Sequence, residues 1–217
     1  SVLIFTVTSG AGYGLLAWLG AGQLLGLTQA YTIGLQLSLG VMAMVLITIG
    51  LVSSTMHLAS PKNAWRSFSR FRTSWLSREA VFAVLLYPIA ALYAAAIFWQ
   101  WSMIDVLAGL SMVFALIILF TTSMIYASLK TIRQWNTPMV PALFMAYALM
   151  SGGLLFVAVS GFSGVLNPQL LIVVMALVLI TLALKMVYFF WQGKPTGATI
   201  QTAAGFSQAS VRLLDAG

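Results

Sequence analysis

Six long apolar blocks, near residues 2–26, 34–57, 79–101, 105–128, 139–163 and 168–191, are separated by short polar connections. Each block is long enough to cross about 30 Å of hydrocarbon as a helix of roughly 20 residues. None alternates apolar and polar positions as a transmembrane barrel strand does, and backbone groups in lipid must be satisfied internally. The pattern therefore predicts an all-α integral membrane protein. It would be one polytopic helix bundle over 1–217 with six spans, and 192–217 would form a cytoplasmic tail or loop. The first block is too long and too rich in glycine for a signal peptide, and it lacks a basic start and a small-residue cleavage site.

The connection between the second and third blocks breaks the apolar pattern most strongly. "HLASPKNAWRSFSRFRTSWLSRE", residues 57–79, holds the only histidine, five of the ten Lys and Arg residues and one of the three acids. Ser60-Pro61 reads as a helix start, with serine as N-cap and proline at the first position. Trp65, Phe68, Phe71 and Trp75 then recur at steps of three or four, while Lys62, Arg66 and Arg70 recur every four on another face. This spacing predicts an amphipathic helix at the membrane surface, with its aromatic side toward lipid or the bundle and its cationic side toward water. The aromatic and basic residues serve either as an interfacial anchor or as a docking surface for a partner protein.

Charge placement orients the chain. Lys62, Arg66, Arg70, Arg72 and Arg78 follow span two, Lys130 and Arg133 follow span four, and Lys194 and Arg212 follow span six. The connections "TQAYTIG", "WSMI" and "SGVLN" after the odd-numbered spans carry no Lys or Arg. By the positive-inside rule the basic connections face the cytoplasm. Lys185 lies inside span six, where its stem can snorkel toward the headgroups.

Composition then removes several classes of chemistry. The chain is 61% hydrophobic and 6% charged with a mean hydropathy of +1.03, far from a soluble domain. Its net charge of +7 would suggest nucleic acid in a soluble chain, but here it belongs to membrane topology. Having no cysteine, the chain offers no disulfide, thiolate metal site, iron–sulfur ligation or cysteine nucleophile. One histidine cannot supply both ligands of a bis-histidine haem, and no Ser-His-Asp set or paired catalytic carboxylates can be assembled from one His and three acids. Redox centres would have to be held by other subunits.

His57 closes span two and Glu79 opens span three, so both fall at the cytoplasmic boundary, where neighbouring short-looped helices bring them to one cleft. Taken singly, each has a structural reading: a glutamate in a first turn complements the helix dipole, and a histidine at a helix end is wet or capped. Together, a group titrating near neutrality, a carboxylate and nearby cations are what a site needs to hold a quinol hydroxyl and accept its protons. Asp105 reads as a cap of the Ser102-x-x-Asp105 type. "SGAGYG", residues 9–14, has a Gly-x-Gly-x-Gly spacing but lies inside a span, where close helix packing explains it better than a dinucleotide site. Tyr126, followed by Lys130, Arg133 and Trp135, belongs to a basic-side belt or faces the same cleft as His57.

"STMHLASPKNAWRSFSRFRTSWLSRE", residues 54–79, closely resembles the His-Leu-Gly-x-Pro segment, basic aromatic loop and Ser-x-Glu helix start of the DMSO reductase membrane anchor subunits. These are the DmsC-like group, related to the NrfD-type quinone-interacting proteins. "SGAGYGLL" in span one and "SMIYASLKTIRQWNTP", residues 123–138, look like the same family's first helix and fourth-to-fifth connection. Ala59 departs from the family's usual glycine, which affects packing more than chemistry. Such anchors usually have eight spans; the last two are expected either to be absent from this protein or to lie outside residues 1–217.

The resemblance implies a subunit of the bacterial cytoplasmic membrane that binds no redox cofactor itself. It would hold an iron–sulfur (ferredoxin-like) subunit and a molybdopterin catalytic subunit against the membrane, and pass electrons between the quinone pool and the nearest cluster. The family's quinol-site histidine and glutamate map onto His57 and Glu79; Arg66, Arg70, Arg72, Arg78 and Tyr126 follow by location, as site lining or partner docking. Two rival readings remain: a secondary transporter or channel, which would place ionisable groups or broken helices near the bilayer midplane, and a purely structural anchor.

Overall fold

A computed structural model describes residues 2–55, 70–132 and 134–192. The described residues form α1 (Val2–Ile4), a π-helical turn (Phe5–Ser9), α2 (Gly10–Leu24), α3 (Ile33–Thr55), α4 (Trp75–Trp99), α5 (Ile104–Ala127), α6 (Met139–Phe162) and α7 (Pro168–Gln192). Ile4, Ser9 and Gly10 all have right-handed helical dihedrals, so α1, the π turn and α2 make one continuous rod. Helices α3 to α7 are each long and apolar enough to cross a membrane. Successive helices run in opposite directions. The start of α2, the ends of α3, α5 and α7, and the starts of α4 and α6 therefore share one end of the bundle, the basic end, which carries Arg70, Arg72, Arg78 and Lys130.

Helix α2 is the centre of the bundle. It packs against α3, α5 and α6, while α4 lies along α5 and α7 along α6. Small residues make this possible. A Cβ on Gly12 would come within 2.7 Å of the Ala43 carbonyl oxygen of α3, one on Gly20 within 2.6 Å of the Ala108 oxygen of α5, and one on Gly14 would collide with the Ala148 carbonyl of α6. The glycines of "SGAGYG" thus act in packing, Gly12 toward α3 and Gly10 and Gly14 toward α6, since interfaces between membrane helices rely on small residues that let backbones approach. Polar groups add ties: Trp18 Nε1 donates to the Leu149 carbonyl at 2.9 Å, and the Tyr31 and Ser160 hydroxyls pair at 2.6 Å. Helix α2 ends where Gly26, at φ 70°, turns left-handed and Leu27 N–H returns to the Gly22 carbonyl at 2.8 Å.

Two sequence-based readings change here. Helix α4 begins at Trp75, with Ser74 as N-cap accepting from the Ser77 N–H at 3.4 Å, so Glu79 lies in the second turn rather than at the helix start. Asp105 does not complete a capping box: the N-cap of α5 is Met103, without a side-chain cap, and the Asp105 carboxylate accepts from Gln23 Nε2 at 3.0 Å, tying α5 to α2. The helix expected within 57–79 falls mostly outside the described residues, which resume at Arg70. Lys185 projects toward an aromatic cluster, with Nζ 4.7 Å from the Phe189 ring centroid and 5.2 Å from that of Tyr188. Removing the Trp18 donor by Trp18→Phe leaves the Leu149 carbonyl without its cross-helix partner. The expected loss is about 1 kcal/mol, read as a lower thermal midpoint in detergent.

Candidate functional site at the α2–α4–α5 junction

Glu79 is 4% exposed, in the wall that α4 presents to α5. Trp75, one turn before it, meets Phe120 edge-on at 6.0 Å, and Phe82, one turn after it, meets Phe114 at 5.8 Å. These aromatic pairs join α4 to α5 one turn to either side of Glu79 along α4. Thr122 Oγ1 donates to Glu79 Oε1 at 2.6 Å and also lies 2.9 Å from the Ile118 carbonyl oxygen. A threonine hydroxyl has one proton, so it serves one of these acceptors at a time. With Glu79 ionised, the proton points to the carboxylate. With Glu79 neutral, its own O–H donates to Thr122, which then donates to Ile118. Both protonation states are hydrogen-bonded, as a group that gains and loses a proton in an apolar interior requires.

Tyr13, on the central helix and 1% exposed, lies within electrostatic range of both Glu79 and Tyr87. Its hydroxyl is buried and has no hydrogen-bond partner among the described residues. Most buried polar groups are satisfied, so a buried phenol without a partner among the described residues is a candidate ligand donor. Tyr87, two turns along α4 from Glu79, pairs its hydroxyl with Thr48 of α3 at 2.9 Å.

The other expected site residues distribute unevenly. Tyr126 is one turn beyond Thr122 and within electrostatic range of Glu79. Its ring packs on Trp135 and Phe144 and lines a second cavity, of about 360 Å³, with Lys185 and Tyr188. Arg78 is committed to the start of α4: Nε donates to the Phe71 carbonyl, Nη2 to the Arg72 carbonyl, and the guanidinium lies 4.2 Å from the Trp75 ring centroid. Arg70 and Arg72 are exposed at the basic end. His57 and Arg66 lie outside the described residues; α3 reaches Thr55, two residues before His57. Sequence reasoning missed Thr122 and Tyr13. The available signal was a polar "TTS" run and a tyrosine inside otherwise apolar spans.

Fold and site together define a polytopic helical membrane protein with a buried, hydrogen-bonded carboxyl group near the basic end of its bundle. The chain belongs to the DMSO reductase anchor subunit (DmsC) family, which matches residues 1–211. It is 30% identical to a sulfite dehydrogenase subunit from Allochromatium vinosum over 236 aligned residues, covering 97% of this chain and 70% of that protein. No solved structure matches. The chain is thus a membrane anchor subunit of an oxidoreductase complex.

Proposed function

We propose that the chain couples the quinone pool to a molybdopterin catalytic subunit through an iron–sulfur subunit docked at the basic, cytoplasmic end. The observation that carries this reading is the buried Glu79–Thr122 pair, together with a buried Tyr13 phenol on the central helix that has no hydrogen-bond partner among the described residues. Oxidation of a quinol releases two electrons and two protons; the electrons go to the partner's cluster, and protons need acceptors within hydrogen-bond reach. Glu79 is one acceptor, Thr122 keeps it bonded before and after transfer, and Tyr13 supplies a donor for a quinone oxygen. His57, two residues past the end of α3, is the second proton-exchanging group of the proposal. Quinone reduction uses the same groups in reverse, and the likeness to a sulfite dehydrogenase protein makes sulfite the first electron donor to try.

Gentle purification from the native membrane is expected to bring down two partner subunits with molybdenum and iron. A metal-free single chain, under conditions that preserve other respiratory complexes, would overturn the proposal. Tyr13→Phe separates site from scaffold. Because the hydroxyl is buried without a partner among the described residues, its removal is expected to leave stability unchanged or raised by about 1 kcal/mol. Quinone-coupled turnover should nevertheless fall about tenfold. A variant that lost stability and kept turnover would assign Tyr13 to packing alone.

A further inference from the structure

Helices α3 and α4 touch only sparsely, and the gap between them is a cavity of about 460 Å³ floored by Leu16 and Leu19 of α2. Its walls are apolar and include the small residues Gly40, Ala91 and Ala94. On α3 it runs from Gln36 to Ile49, about 20 Å at the helical rise of ~1.5 Å per residue. Helix directions place Gln36 and Ile97 toward the end opposite the basic one. The Thr48–Tyr87 hydrogen bond stands at the limit of the groove nearer the basic end. Tyr13 precedes Leu16 by one turn on α2 and Glu79 precedes Tyr87 by two turns on α4, so both lie beyond that pair toward the basic end.

We infer that this groove holds the isoprenoid tail of the quinone, with the head directed past Thr48 and Tyr87 toward Tyr13 and Glu79. The inference rests on the proposed quinone site and adds its tail-binding half. Three observations select a prenyl tail over a lipid acyl chain or a protein segment. The groove is a long apolar slot; one turn before Leu16 of its floor, toward the basic end, is the Tyr13 phenol, buried and without a hydrogen-bond partner among the described residues; and two turns before Tyr87 of its wall is the buried Glu79 carboxyl group. An acyl chain would satisfy the slot but leave the Tyr13 hydroxyl unexplained.

The groove can be filled without disturbing the backbone. A Cβ at Gly40 would meet only Leu19 Cδ2, at 3.7 Å, an ordinary van der Waals contact. In the purified complex, Gly40→Leu and Ala91→Leu are compared with wild type using tetraprenyl and tailless naphthoquinones, and the matching ubiquinone pair, in the redox form that turnover requires. Both variants are expected to raise KM for the tetraprenyl substrate about tenfold and to change turnover of the tailless one less than about twofold. The tailless substrate also reports that each variant is folded. Equal effects on the two substrates, or none on either, would overturn the groove as the tail site. Glu79→Gln, run in parallel, separates the two claims: loss of turnover with both substrates keeps the head site whatever the groove variants do, whereas full retention removes the head site and the groove assignment with it.

Discussion

Glu79→Gln is expected to lower quinone-coupled turnover by at least about 100-fold, the lower range of what a positioned proton acceptor contributes. Dye-driven turnover of the catalytic subunit and the amount of assembled complex should stay near wild type. The substitution is close to isosteric, and the new amide oxygen can still accept the Thr122 hydroxyl, so the α4–α5 seam between the Trp75–Phe120 and Phe82–Phe114 pairs keeps its packing. What disappears is a group that exchanges a proton. Thr122→Val should give a smaller loss, about tenfold, because the carboxyl remains but loses the partner that follows its protonation. Ordinary quinone turnover in the glutamine variant, with the complex intact, would show that Glu79 serves the bundle and not the chemistry.

Gly152→Leu is expected to prevent accumulation of the folded chain. A Cβ at Gly152 would collide with the Gly14 and Leu15 backbone of α2, and neither partner is a flexible side chain that could swing aside. Overpacking of a fitted interface costs about 1–3 kcal/mol where side chains can yield, and here the backbones themselves have to separate. Because α2 also packs on α3 and α5, the separation would reach every helix around the centre. Gly34→Ala is the matched control, since a Cβ there meets nothing within 4 Å. Size-exclusion profiles of detergent-solubilised protein should show a wild-type peak for Gly34→Ala and little monodisperse protein for Gly152→Leu.

Hydropathy alone revealed the helices, because a run of apolar residues long enough for a bilayer has few other uses. It did not reveal their arrangement. Helices apolar on all sides carry no stripe to say which face is inward, so the central place of α2 came from packing; its dense glycines were the trace in the sequence. Glu79 stood out as a lone acid at a span boundary, yet its apparent position at the helix start was wrong by a turn. Trp75 and Leu76 are interfacial residues that extend α4 before the apolar run becomes obvious. Thr122 comes to Glu79 from α5, and Tyr13 sits on the central helix; no local spacing signals an arrangement of that kind. Arg78 looked like a site cation because of its sequence neighbourhood; in the structure its guanidinium holds the Phe71 and Arg72 carbonyls.

The quinone site itself is tested most directly by photolabelling the assembled complex with an azidoquinone, followed by peptide mapping. Label should appear in this chain, on peptides containing Tyr13 and the Glu79–Tyr87 stretch, and excess unmodified quinone should suppress it. Labelling confined to the partner subunits, or insensitive to competing quinone, would contradict a quinone site at the α2–α4–α5 junction.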